Sequence, residues 1–128
     1  MSYYFNKMLD MSFEDAIEKV TDELKKEGFG VLTEIDVKTT LKEKLNVDFR
    51  NYRILGACNP LFAHRALLNE DKIGVMLPCN VIVQEISEGK IEVAAIDPIA
   101  SMQAVENPSL KEVAEEVKNK LQKVIDNL

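Results

Sequence analysis

The sequence predicts an α+β fold: a single two-layer domain over residues 1–128, with one mixed or antiparallel sheet of about five strands and helices packed on one face. Three observations predict it. Segments whose apolar residues alternate with period two are interleaved with segments whose apolar residues recur at helical spacing. Two strand-like segments stand back to back around Ser87-Glu88-Gly89, as in a hairpin. The chain ends in a continuous apolar stripe at helical spacing, from Leu110 through Val113, Ala114, Val117, Leu121, Val124 and Ile125 to Leu128.

Each element has its own signals. Residues 3–9 are rich in aromatic and apolar side chains and read as a first strand. Ser12 opens a helix with Asp15 in its first turn, where a carboxylate suits the helix dipole. Phe13, Ala16, Ile17, Val20 and Leu24 form its buried face, and Gly28 closes it as a left-handed cap. Phe29, Val31, Thr33, Ile35 and Val37 alternate with their neighbours and predict a second strand. Thr40 and Glu43 have capping-box spacing for a short helix that Asn46 ends. Tyr52 to Ala57 reads as a third strand. Asn59-Pro60 then starts a helix running to about Leu68, because Asn is a good N-cap and Pro suits the first helical position. Residues 80–86 and 90–97 are the hairpin strands, joined by a three-residue turn with a Gly bulge. Asp97-Pro98 starts a short helix to about Ala104, Asn107-Pro108 breaks it, and Ser109 with Glu112 is a capping box for the last helix. The element order is β-α-β-α-β-α-β-β-α-α.

Composition bounds the function without naming it. Of 128 residues, 46% are hydrophobic and 30% charged, which is globular rather than disordered. Lys and Arg number 16 against 22 Asp and Glu, a formal charge of −6. That sign opposes nucleic-acid binding, whose affinity comes from cations displacing counterions. Lys38, Lys42, Lys44, Arg50 and Arg53 are the one basic run; it reads as a solvated helix face and loop, or as a small-anion site. No signal-peptide pattern and no apolar run of ~20 residues is present, so a cytoplasmic protein without a membrane partner is expected. In a reducing compartment Cys58 and Cys79 are then expected as free thiols.

Those two cysteines flank His64, the single histidine. The predicted layout places Cys58 just before the cap of the helix beginning at Pro60, with His64 about one turn inside. Helical side chains lean towards the N-terminus, which would aim the imidazole at Cys58. An antiparallel pairing of the flanking strands would bring Cys79 near Cys58. Three chemistries fit such a cluster. Cys58, His64 and Cys79 would hold zinc or cuprous copper; the two thiols would cycle through a disulfide; or Cys58 would act as a nucleophile with His64 as base. The spacing lacks the Cys-x-x-Cys pairs of zinc ribbons and redox motifs. The plain alternative is two core-filling thiols and a half-buried histidine sharing a helix face with Leu61, Leu67 and Leu68. Asn59 and Asn80 would orient the cluster or cap and turn the chain. Arg65 would clamp an anion or form a surface ion pair, and Asp97 reads as a helix cap before Pro98, with a catalytic carboxylate as the alternative. Gly28-x-Gly30 follows a helix and precedes a strand, the reverse of a dinucleotide fingerprint. With no Gly-x-Ser-x-Gly elbow and one His, classical hydrolase and metalloprotease sites are excluded.

The run from Glu34 to Leu45, then Tyr52-Arg-Ile-Leu-Gly-Ala-Cys-Asn-Pro, Ala63-His-Arg-Ala-Leu and Leu77-Pro-Cys-Asn-Val closely resembles the family called domain of unknown function 302. The resemblance is strongest over residues 30–97. It implies a curved antiparallel sheet with helices on one face, similar to the TATA-binding-protein-like class in fold only, with no DNA binding. The family's shared positions fall on Cys58, Asn59, Pro60, His64, Arg65, Pro78, Cys79 and Asn80. Leu61 stands where the familiar form has a second proline. The resemblance supplies no reaction.

Two functional expectations follow. One is a soft-metal or thiol-reactive site built from Cys58, His64 and Cys79, supported by Asn59, Arg65 and Asn80. The other is a small-molecule-binding or homodimeric module without catalysis, working through the open sheet face or a sheet edge.

Overall fold

In a computed structural model, residues 2–128 are described. Five strands form one sheet in the order β1-β5-β4-β3-β2, and every neighbouring pair is antiparallel. The elements in chain order are β1 (Tyr4–Asp10), α1 (Phe13–Lys26), β2 (Gly30–Asp36), α2 (Val37–Leu45), β3 (Tyr52–Cys58), α3 (Pro60–Asn69), β4 (Cys79–Ser87), β5 (Lys90–Ile96), α4 (Pro98–Ser101) and α5 (Ser109–Asp126). A short 3-10 turn at Ile73–Met76, which the sequence signals did not predict, links α3 to β4.

The core lies between one sheet face and the helices. Alternate strand positions Leu55, Ala57, Val81, Val83, Ile91, Val93 and Ala95 are buried on that face. Against them pack Ala16, Val20 and Leu24 of α1 and Leu121, Val124 and Ile125 of α5. The apolar stripes predicted for these two helices are the buried ones, because a stripe of this width leaves water only by packing on another apolar layer. α2 buries no residue and stands outside the core.

Helix ends differ from expectation in three places. β2 ends one residue earlier than its alternation suggests, and the Asp36 carboxylate accepts a hydrogen bond from Thr39 N at 3.0 Å. α2 therefore begins at Val37, and Thr40 lies inside it rather than forming a capping box. At α5 the cap comes from Asn107, whose Oδ1 accepts from Ser109 N at 3.1 Å, so Ser109 is already helical. α4 stops at Ser101 instead of reaching Ala104.

The hairpin turn is also tighter than expected. Ser87 pairs with Lys90, leaving two turn residues, and the irregularity sits in β4 between Glu85 and Ser87. Gly89, the second of them, takes φ +76, a left-handed conformation that glycine enters without steric cost. Gly28 at φ +86 and Asn46 at φ 55 end α1 and α2 as the sequence predicts.

Candidate functional site

The β3–α3 junction and the start of β4 meet at one end of the sheet. Cys58 is the last residue of β3 and Cys79 the first of β4; Cys79 pairs directly with Ala57, the residue before Cys58. Both thiols are free and partly buried, and both line a single cleft between the sheet, α3 and α5. The rest of its wall is almost wholly apolar, with Phe62 and Ala66 from α3, Leu77 and Pro78 before β4, and Val113 and Val117 from α5. The Leu77–Pro78 peptide bond is cis. The cleft holds about 40 Å³. One water needs roughly 10–15 Å³ on the same measure, and pockets for drug-sized ligands run to about 300–1,000 Å³. This space therefore takes a few atoms, not a nucleotide or a large cofactor.

Burial pushes the Cys79 thiol up to about 11, and the neighbouring Cys58 adds to the shift. Removing a thiolate from water disfavours its charged form. At neutral pH Cys79 is a protonated thiol, a poor nucleophile. Cys58 is half-buried and directly precedes Asn59, the residue that begins α3.

His64 does not join the thiols. Phe62 and Ala66, four residues apart, set the buried face of α3. Two residues beyond Phe62 a helix has turned by about 200°, so His64 faces solvent together with Leu61 and Leu68. The expected cluster of Cys58, His64 and Cys79 is thus not assembled, and the half-buried histidine is not found either. Among the described residues no group of three or more His, Cys, Asp or Glu side chains is placed to hold a metal ion.

The supporting residues divide. Asn59 stands at the N-cap of α3, but its side chain makes no capping bond; Nδ2 donates to the Glu27 carbonyl at the end of α1, 3.2 Å away. This bond anchors the residue next to Cys58. Arg65 donates to Glu116 of α5 at 2.8 Å, the plain ion-pair alternative. Asn80 is exposed and lines a separate concavity on the opposite sheet face, because neighbouring strand residues point to opposite sides. Asp97 caps α4, accepting from Ile99 N at 3.0 Å, and lies 3.5 Å from Lys118 Nζ. In the basic run, Lys42 pairs with Asp48 at 3.1 Å and Arg53 with Glu34 at 3.0 Å, so these two charges are met by acidic neighbours. Val113 and Val117 belong to the apolar stripe of α5 by their spacing, and their place in the cleft wall follows from packing alone.

The same family of residues is recognised by comparison. The family described as domain of unknown function DUF302 matches residues 5–128. This chain belongs to the DUF302 family. A crystal structure of a conserved DUF302 protein from Bacillus stearothermophilus has the same fold, with a TM-score of 0.90 and 30% identity over 98% of each chain. No curated protein matches the chain. The DUF302 match spans the thiol cleft, the sheet and all the helices. No helix among the described residues is long and apolar enough to cross a membrane.

Proposed function

We propose that this DUF302 protein is a thiol-reactive module in which Cys58 meets a small soft reagent inside an apolar cleft, with Cys79 beside it as a second, protonated thiol. One observation carries the reading: two cysteines 21 positions apart share the wall of one small cleft. The cleft's volume supports a reagent of a few atoms, such as a small electrophile, a hydroperoxide or a disulfide end. A metal role narrows accordingly. Zinc sites usually use four ligands, or three and a water, whereas two thiolates suit cuprous copper better. Cuprous copper is therefore the ion to test.

The raised pKa of Cys79 and the apolar lining favour a second reading, in which the cleft receives a small apolar group and the thiols only pack. Alkylation rates between pH 6 and 10 separate the two. The first reading expects one thiol to react quickly in the native protein, and that phase to vanish in Cys58→Ser and survive in Cys79→Ser. Two thiols that react only after unfolding would transfer the case to the second reading. Metal content of protein purified without chelator, with Cys58→Ser as control, tests copper directly.

A further inference from the structure

The sheet face opposite the core carries no helix from the core layer, and an apolar row crosses four of its five strands. The register aligns Asn6, Ala94, Ile82, Ile54 and Ile35 on five successive strands. None of the four apolar members belongs to the core cluster. Tyr4, Met8 and Ile35 on the same face are 41%, 51% and 48% exposed. Ile35 is exposed and Ile54, Ile82 and Ala94 are half-buried outside the core, and an apolar patch of this kind on a sheet face marks a partner surface.

We infer that this face is the interface of a symmetric dimer, and that its occupant is the same face of a second copy of the chain. Area supports this. Five strands of about seven residues span a plane of about 550 Å², which projecting side chains bring near the ~600–800 Å² each partner contributes to a stable interface. Two such sheets packed about 10 Å apart bury both isoleucine rows and close over the two concavities lined by Tyr4, Tyr52, Ile82 and Ala94. Charge supports it too. The chain carries −6, yet on this face the charges are answered locally. Asp10 pairs with Lys90. Both Glu92 oxygens accept hydrogen bonds, from Asn6 at 2.9 Å and Gln84 at 2.8 Å, and Arg50 donates on to Gln84. Two copies can meet here without setting bare carboxylates against each other, and a two-fold contact of identical patches closes on itself.

The test is sedimentation velocity of the full chain from 1 to 200 µM, for wild type, Ile82→Glu, Met8→Glu and Leu68→Glu, with circular dichroism of each. The wild type should sediment as a dimer. Ile82→Glu should weaken association at least a hundredfold and Met8→Glu about tenfold. Leu68→Glu, on exposed α3, should leave it unchanged. Met8 is half exposed, so its variant reports on the interface even if Ile82→Glu fails to fold. A wild type that stays monomeric at 200 µM overturns the inference. So does a dimer broken by Leu68→Glu alone. A monomer that binds a small apolar dye in the concavity between Tyr4 and Tyr52, losing it in Ile82→Glu, would make the face a ligand floor instead.

Discussion

Asn59 donates its side-chain amide to the Glu27 carbonyl at 3.2 Å, although it occupies the position from which an asparagine usually caps its own helix. The bond ties the end of α1 to the residue after Cys58. It predicts an unusual substitution pattern. Asn59→Ala should cost about 1 kcal/mol, the worth of one hydrogen bond. Asn59→Asp, normally an equal cap, should be no better, since a carboxylate cannot donate to a carbonyl. Denaturant melts of the two variants check this; an Asn59→Asp protein as stable as wild type would show that the ordinary cap matters instead.

Gly56 sits where no side chain fits. A Cβ there would lie 2.0 Å from Thr33 Oγ1 and 2.8 Å from Pro78 Cγ. Gly56→Ala should therefore destabilise by about 2–3 kcal/mol, as overpacking does. Thr33→Ala in the same chain should recover part of that loss, because it removes the nearer atom while Pro78 remains. Thermal unfolding of the single and double variants measures the recovery.

Cys79 makes stability depend on alkaline pH. Its folded pKa, about 11, exceeds the ordinary value of 9.0. Below pH 9 both states hold the proton and the thiol contributes no pH dependence. Above pH 9 the unfolded chain ionises first, so stability falls until the folded thiol also ionises near 11. The loss approaches about 2–3 kcal/mol over that window. Urea melts at pH 8 and pH 10.5 should show a larger drop for wild type than for Cys79→Ala, which isolates this thiol from lysines and tyrosines titrating in the same range.

The start of α2 distinguishes two caps. Asp36→Ala removes the bond to Thr39 N and should cost about 1 kcal/mol. Thr40→Ala should stay within about 0.5 kcal/mol of wild type, as exposed helical positions do. Equal losses would restore the Thr40–Glu43 capping box.

His64 faces solvent and is absent from the cleft wall. His64→Ala should leave the rate and pH profile of thiol alkylation unchanged, while Phe62→Ala, which opens the wall, should raise the rate several-fold. A His64→Ala protein with a slowed Cys58 reaction would reinstate the imidazole as its base.

Local signals in the sequence determined most of the elements: the stripes of α1 and α5, the alternation in β2, the Asn-Pro start of α3, the Asp97 cap and the left-handed Gly28. Each depends on residues within one or two turns, and short-range sterics, hydrogen bonding and periodicity suffice to specify them. The family, too, was legible from the motifs around Cys58 and Cys79. Tertiary structure alone decided the rest. Strand order and register placed Cys79 opposite Ala57 and beside Cys58, 21 positions earlier in the chain. The rotation of α3, set by Phe62 and Ala66 seeking the core, turned His64 away from those thiols. Asp36 displaced Thr40 as a cap because β2 ends where its pairing with Arg53 ends. Such outcomes depend on which long-range contacts bury the most apolar surface, a competition among the whole chain's elements that no single segment encodes.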